Sequence, residues 1–91
     1  MKAQRVFYKK QQYDEGIVEM VVWQLPKPEP DRPHGYKYRL AFIQDGVRVI
    51  GYDNERGKGD HRHYGAFEQP YCFVDVKTLI QDFLNDVRKH R

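Results

Sequence analysis

The sequence predicts an α+β fold, namely an antiparallel β-meander of about four to five strands with one C-terminal helix packed on one face of the sheet. Two observations support this prediction. Apolar and polar residues alternate with the period of a β-strand within residues 4–53, and turn residues separate the segments. Residues 76–90 instead place apolar side chains at helical spacing. The length of 91 residues suits one domain, which we expect to span residues 1–91.

The first two strands are expected on either side of a short turn. Residues 4–13 have the mixed polarity of an exposed strand, and the turn at 14–16 ends with Gly16, which can adopt a positive φ. Residues 17–25 are apolar on both faces, which is typical of a strand in the interior of a sheet. Four prolines within residues 26–35 exclude a helix or a central strand, so this segment is predicted to be a semi-rigid extended loop.

The next two strands, residues 36–44 and 47–53, form a predicted hairpin around the turn sequence Asp45-Gly46. A two-residue turn fixes the register, and opposing residues share a face of the sheet. The register therefore decides which side chains can meet. The expected pairs are Phe42 with Val49, Arg39 with Tyr52, and Tyr38 with Asp53.

The last third of the chain is predicted to contain a loop and a helix. Residues 54–65 are expected to form a loop, followed by a short extended piece near residues 71–74. The helix is expected over residues 76–90, with Asp75 as its N-cap. Basic residues near the end of this segment suit the negative end of the helix dipole.

The composition favours a soluble cytoplasmic protein. The net charge of +3 allows an anionic partner without requiring one. The single cysteine, Cys72, cannot form an internal disulfide, which indicates a reduced compartment, and its apolar neighbours predict a packed side chain. The N-terminus lacks an apolar run of signal-peptide length, and no segment approaches the roughly 20 apolar residues of a membrane span.

The segment at residues 52–63 carries the strongest candidate for acid–base chemistry. Histidine titrates near neutral pH, so His61 and His63 could act as a general acid and a general base. Their i, i+2 spacing puts both rings on the same side of an extended segment. Asp53 or Asp60 could orient one of the histidines. Such a set of groups is what a metal-independent ribonuclease needs.

Basic and glycine residues of the same segment could bind a phosphate group. Glycines would let backbone N–H groups approach an anion closely. A second basic surface is predicted on the third strand, next to basic residues of the first, although such residues often form only a solvated sheet face. The candidate phosphate or RNA ligands are Arg56, Gly57, Lys58, Gly59 and Arg62 in the loop, and Lys37 and Arg39 on the third strand.

Other interpretations of the segment stay open at this point. The three acidic and three basic residues of residues 53–63 cancel, so the segment is not a simple basic patch and could be a solvated loop. A metal site could use four of its side chains, but His-x-His is weak evidence alone, and neither a metal nor another cofactor is expected. These four side chains are Asp53, Asp60, His61 and His63. Trp23 is expected in the core or at an interface.

Six segments of the sequence resemble the TumE family of toxins, in the same order and over nearly the whole chain. They are WQLP (23–26), YKYRLAF (36–42), YDN (52–54), GKGDHRH (57–63), PYCFV (70–74) and DFLNDV (82–87). The resemblance implies a toxin of a type II toxin–antitoxin module, neutralised by direct contact with a small DNA-binding antitoxin. The residues that carry it over the central motif are Asp53, Asn54, Gly57, Lys58, Gly59, Asp60, His61, Arg62 and His63.

The resemblance and the loop chemistry together predict a toxin that acts on RNA as a metal-independent endoribonuclease. The resemblance supplies the toxin, and the acid–base groups supply the ribonuclease. One alternative is a module that binds RNA or a protein without cutting, and another is a metal-dependent nuclease. A second copy of the chain could also be a partner, forming a homodimer.

Overall fold

The computed structural model describes residues 2–55 and 57–90. They form one antiparallel sheet of six strands in meander order, followed by one helix. The predicted fold class is therefore confirmed, with a sixth strand beyond the predicted number. The elements are β1 (Gln4–Tyr13), β2 (Gly16–Gln24), β3 (Tyr36–Gln44), β4 (Val47–Asp53), β5 (His61–Tyr64), β6 (Phe67–Pro70) and α1 (Val76–Lys89).

Helix α1 packs on one face of the sheet because both surfaces present apolar side chains there. The helix contributes residues spaced by four, and strands β2, β3 and β4 contribute alternate residues. The carboxylate of Asp75 accepts a hydrogen bond from the Thr78 backbone N–H at 2.7 Å, which confirms the predicted N-cap. The buried core consists of Val18, Met20, Val22, Tyr38, Leu40, Phe42, Ile50, Tyr52, Leu79, Phe83 and Val87.

The opposite face of the sheet, called the open face below, is covered by no helix within residues 2–55 and 57–90. Strand pairing puts Trp23, Lys37, Arg39 and Asp53 on this face, because their strand neighbours Val22, Tyr38, Leu40 and Tyr52 are in the core. Charged and aromatic side chains are thus concentrated on the face that the core does not use.

The predicted hairpin register is wrong beyond its first two pairs. Gln44 faces Val47 and Ile43 faces Arg48, but an irregularity between Phe42 and Ile43 then shifts the pairing by one residue. Such a bulge moves every later side chain to the other face. The shift fully buries the Tyr52 ring against the core and turns the Asp53 carboxylate to the open face. The observed pairs are Phe42 with Ile50, Leu40 with Tyr52, and Arg39 with Asp53.

The predicted loop at residues 54–65 is wrong in its second half. Residues 61–64 form β5, which pairs with β4 on one side and with β6 on the other. The predicted extended piece near residues 71–74 occurs slightly earlier, as β6 at residues 67–70. The buried positions of β5 are histidines, so a pattern based on apolar residues does not mark this strand.

Two smaller expectations also differ. The positive φ of the first turn belongs to Asp14 at 53°, whereas Gly16 begins β2. A Cβ at Gly16 would lie 2.6 Å from Phe42 Cε1 and 2.7 Å from the carbonyl oxygen of Ile43, so close approach is what requires glycine here. Cys72 is exposed rather than packed. Within the described part of the chain, no helix is long and apolar enough to cross a membrane.

Candidate functional site

Asp53 lies between the two histidines of β5 on the open face. Asp53 pairs with His61 across β4 and β5, and His63 is two residues further along the same face. The Nε2 atom of His61 is 2.7 Å from Asp53 Oδ1, and that of His63 is 3.5 Å from Asp53 Oδ2. The ring centroids are 4.8 Å apart. The exposed fractions of Asp53, His61 and His63 are 8%, 6% and 9%, so the centre is largely shielded from water.

The outer nitrogen of each ring faces an acceptor. His61 Nδ1 lies 2.9 Å from the Gly59 carbonyl oxygen, which can only accept, so Nδ1 must carry the proton. His63 Nδ1 lies 3.3 Å from a carboxylate oxygen of Glu68, whose side chain is half exposed. Both Nε2 atoms are therefore left to face Asp53.

The central carboxylate is not satisfied by hydrogen bonds. Asp53 Oδ1 and His63 Nε2 are buried and have no hydrogen-bond partner among the described residues. His61 Nε2 lies 2.7 Å from Asp53 Oδ1, but the two atoms are not aligned for a hydrogen bond. Arg48 contacts only the second carboxylate oxygen, with Nη1 3.4 Å from Oδ2. The centre therefore presents unpaired buried acceptor atoms to any cation that enters it.

Asp60 belongs to a different cluster. Its carboxylate accepts a hydrogen bond of 2.6 Å from the Tyr38 hydroxyl and lies 3.0 Å from His34 Nε2. His34 Nδ1 accepts a hydrogen bond from the Tyr36 backbone N–H at 3.1 Å. The ring proton is therefore on Nε2, which donates a hydrogen bond to the Asp60 carboxylate. Burial, and then the bond to Asp60, raises the pKa of Tyr38. Asp60 thus orients His34, a residue that the sequence placed only in the proline-rich loop.

Asn54 fixes the start of the loop that joins β4 to β5. Its side chain is fully buried. The amide oxygen accepts from the Tyr38 backbone N–H at 3.1 Å, and the amide nitrogen donates to the Tyr36 carbonyl oxygen at 2.8 Å. These two bonds join the start of β3 to the end of β4, and the same amide nitrogen also donates to Asp60 at 3.3 Å.

The loop glycines do not offer an open anion site. The backbone N–H of Gly57 already donates to the carboxylate of Asp31, which comes from the proline-rich loop. Gly59 has a φ of 73° and supplies the carbonyl oxygen for His61. Lys58 is exposed, and its backbone N–H donates to the Glu55 carbonyl oxygen at 3.1 Å. The predicted ligand Arg56 lies outside the described residues.

Arg62 lies on the helix face, away from both histidines, because it alternates with them along β5. Its Nη1 donates to the Tyr52 hydroxyl at 3.1 Å and is 3.8 Å from Asp86 on α1. Asp86 also accepts hydrogen bonds from the hydroxyls of Tyr52 and Tyr64. Arg62 therefore ties the helix to the sheet and is not brought together with the acid–base centre.

Lys37 and Arg39 lie on the open face and are exposed, as the alternation of the third strand predicted. Lys37 Nζ is 5.2 Å from the ring centroid of Trp23, which is half-buried on the same face rather than in the core. A depression of about 560 Å³ joins these side chains to the acid–base centre. It is lined by Trp23, Arg32, Lys37, Tyr38, Arg39, Asp53 and Glu55.

Comparison of the sequence with models of known protein families identifies the family of this chain. A family model described as Toxin TumE matches residues 2–91. The chain belongs to the TumE toxin family. It is thus a toxin of a toxin–antitoxin module, and an antitoxin is its implied partner. Neither the comparison with curated proteins nor that with solved structures finds a match.

Several groups of this TumE toxin were not predicted as site residues. Glu68 and Arg48 contact the acid–base centre, and His34 and Asn54 stabilise the loop beside it. Only Asn54 carried a signal in the sequence, as a member of the YDN segment.

Three side chains could together hold a metal ion, because one ligand atom from each lies within 4.8 Å of the others. They are Asp53, His61 and His63.

Proposed function

We propose that this TumE toxin acts on RNA as an endoribonuclease, with His61 and His63 as the acid–base pair and no metal ion in the reaction. One observation supports the proposal above all others. Two imidazole rings meet a buried carboxylate at the end of a depression that carries exposed basic groups. Acid–base groups and phosphate-binding groups are the two requirements of such an enzyme.

The open face offers a path for a single RNA strand. Lys37 and Arg39 are exposed there and can neutralise backbone phosphates. The half-buried Trp23 ring beside Lys37 can stack on a base. A strand bound along this path would bring a phosphodiester to the edge of the acid–base centre near Asp53, which lines the same depression.

The chemistry requires two proton transfers. The base removes the proton of the ribose 2′-hydroxyl, O2′ attacks phosphorus, and the P–O5′ bond breaks as the acid protonates O5′. The products are a 2′,3′-cyclic phosphate and a 5′-hydroxyl. Asp53 contacts both rings and so can hold either in place and attract its charged form. His63 is the better placed to exchange protons, because its Nδ1 faces the half-exposed Glu68.

Expression without the antitoxin tests the proposal. We expect His61→Ala and His63→Ala to lose toxicity, while His90→Ala, at the end of α1, stays as toxic as the wild type. Circular dichroism and the less disruptive His63→Gln distinguish lost chemistry from lost folding. If both histidine variants arrest growth as strongly as the wild type, the acid–base mechanism is wrong.

Purified protein provides the second test. We expect RNA cleavage that a chelator does not affect and that yields cyclic phosphate ends. Cleavage that a chelator abolishes and one divalent ion restores would indicate a metal-dependent nuclease instead.

A second candidate function, binding RNA without cutting it, is favoured by the burial of the two histidines. In that case the exposed Lys37 and Arg39 would carry the activity. RNA that shifts on a gel but stays intact, together with a larger loss of toxicity in Lys37→Gln and Arg39→Gln than in the histidine variants, would support this candidate.

We extend the proposal to the partner and the compartment. The antitoxin is a small DNA-binding protein encoded beside the toxin, and both act in the cytoplasm, where the RNA is. The neighbouring open reading frame, its copurification with the toxin and a gel shift with the promoter DNA test this step. A neighbouring protein that binds the toxin but not DNA would contradict it.

A further inference from the structure

We propose that Asp53, His61 and His63 form a binding site for a divalent transition-metal ion such as Zn²⁺. The binding itself rests on geometry alone. Its effect on cleavage rests on the proposed function: a ring that binds the ion through Nε2 and keeps the proton on Nδ1 cannot take up a second proton, so the ion would inhibit the toxin.

The ligand atoms are close enough for one ion. Zn²⁺ binds histidine nitrogen and carboxylate oxygen at roughly 2.0–2.2 Å, so the ligand atoms of a tetrahedral site lie roughly 3.4 Å apart. The two Nε2 atoms are 2.7 Å and 3.5 Å from the Asp53 oxygens. All three ligand atoms fall within 4.8 Å of one another. Small rotations of the rings would bring them to the distances of a metal site.

The buried polar atoms need a cation. Asp53 Oδ1 and His63 Nε2 have no hydrogen-bond partner in the described part of the chain, although Asp53 and His63 are more than nine-tenths buried. His61 Nε2 lies 2.7 Å from the same oxygen without a hydrogen bond between them, and the ring of His61 donates from Nδ1 to Gly59. Unsatisfied buried groups destabilise a protein, and an ion among these lone pairs would satisfy all of them at once.

The outer contacts have the pattern that surrounds metal-binding histidines. Such a ring usually donates its second N–H to a carbonyl or carboxylate oxygen, which fixes the tautomer and the orientation of the ring. His61 has the Gly59 carbonyl oxygen at 2.9 Å, and His63 has Glu68 at 3.3 Å. Two imidazoles and one carboxylate suit Zn²⁺ and its neighbours rather than Mg²⁺ or Ca²⁺, which prefer oxygen ligands.

Titration of the full, chelator-stripped chain with Zn²⁺ by calorimetry tests the site, and Co²⁺ absorption in the visible range reports the coordination. We expect one strong site per chain and a loss of affinity of at least about 100-fold in His63→Ala and Asp53→Asn. Glu68→Gln should weaken binding about 10-fold, as substitutions next to metal ligands do. His90→Ala is the matched control, and circular dichroism verifies that each variant is folded.

Two results would overturn the site. One is the absence of strong binding to the folded wild type. The other is a Zn²⁺ affinity that is the same in His63→Ala, Asp53→Asn and His90→Ala, since the ions would then be bound elsewhere.

RNA cleavage by the metal-free and the Zn²⁺-loaded protein separates this proposal from the proposed function. Cleavage by the metal-free form that Zn²⁺ suppresses supports both. Cleavage only after loading overturns the metal-free mechanism and the inhibition, and leaves the site standing on the titration. Cleavage that bound Zn²⁺ does not change overturns the inhibition alone. If neither form cuts RNA, the ribonuclease proposal fails, and the titration by itself decides the site.

Discussion

Asp53 is contacted by three basic side chains, and its position on the open face depends on a single extra residue in β4. Without the bulge, Asp53 would point toward α1, where a buried carboxylate would meet the apolar core. The irregularity shifts the register by one and aligns Asp53 with Arg39 on one side and His61 on the other. The bulge thus turns the later side chains of β4, with Tyr52 toward the core and Asp53 toward the open face.

The two exposed cations of β3 lead to a prediction about salt. In a His63→Ala background, which keeps the RNA intact, Lys37→Gln and Arg39→Gln should each weaken binding to single-stranded RNA of any sequence. Each should also reduce the slope of log affinity against log salt by roughly 0.7, since one phosphate contact is lost. Fluorescence anisotropy at several KCl concentrations measures both quantities. Lys77→Gln on α1 is the control, and slopes that equal the control would contradict the proposed RNA path.

The spacing of the site residues explains which of them the sequence could place. The i, i+2 rule predicted that His61 and His63 share a side, and their positions on β5 agree. The same alternation puts the intervening Arg62 on the helix face, away from the histidines, and its role as a phosphate ligand stays a prediction. His34 could not be found, because its partner Asp60 is 26 residues away in the sequence.

At the scale of elements, helix α1 is tied to the sheet by a partly buried polar network. Asp86 accepts from the hydroxyls of Tyr52 and Tyr64, and Arg62 donates to Tyr52 within 3.8 Å of the same carboxylate. These hydrogen bonds form at only one rotation of α1 about its own axis. The network therefore fixes the orientation of the helix, which apolar packing specifies less strictly.

Removal of the Asp86 carboxylate should loosen the helix. We expect Asp86→Ala to reduce the free energy of unfolding by about 2–3 kcal/mol, because two hydroxyls lose their acceptor and a guanidinium loses a nearby carboxylate. Urea unfolding followed by circular dichroism measures this change. The exposed Gln81→Ala on the same helix is the matched control. Midpoints that agree between the two variants would show that the network does not contribute to stability.

The elements differ in how far the sequence predicts them. The four long strands are separated by turn or proline signals and the helix has a clear period, and their predicted bounds agree with the structure to within one residue. Strands β5 and β6 have four residues each, and the buried positions of β5 are filled by histidines. These histidines are buried against Asp53, a contact between two strands that no local sequence pattern contains.

At the scale of the whole molecule, the two faces of the sheet have different roles, one in stability and the other in the proposed chemistry. One face of the sheet forms the core with α1, while the open face carries Trp23, Lys37, Arg39 and the Asp53 centre. Substitutions of the exposed Lys37 and Arg39 on the open face should therefore change activity with little effect on folding. The carboxylates of Asp60 and Asp86 accept hydrogen bonds from the buried hydroxyls of Tyr38 and Tyr52, respectively. These two tyrosines make the stability of the protein sensitive to alkaline pH.

Because Tyr38 and Tyr52 are buried, we expect the folded protein to lose stability above about pH 10. Burial, and then hydrogen bonds to Asp60 and Asp86, raises the pKa of both hydroxyls in the folded state. The unfolded chain ionises at pH about 10, so the stabilisation is fully present below that pH and is lost as pH rises toward the folded pKa. Each buried tyrosine should contribute a slope of up to about 1.4 kcal/mol per pH unit.

Urea unfolding between pH 8 and pH 11 measures this loss. Comparison with a variant isolates the contribution of one tyrosine, because the variant keeps all other titratable groups unchanged. Tyr52→Phe should lower stability at pH 8, where it loses its hydrogen bond to Asp86, but should show a shallower decline above pH 10 than the wild type. Tyr8→Phe, at an exposed position of β1, is the matched control. A Tyr52→Phe slope as steep as that of the control would mean that the buried hydroxyl is not what links folding to pH, and the loss would then have to come from other groups.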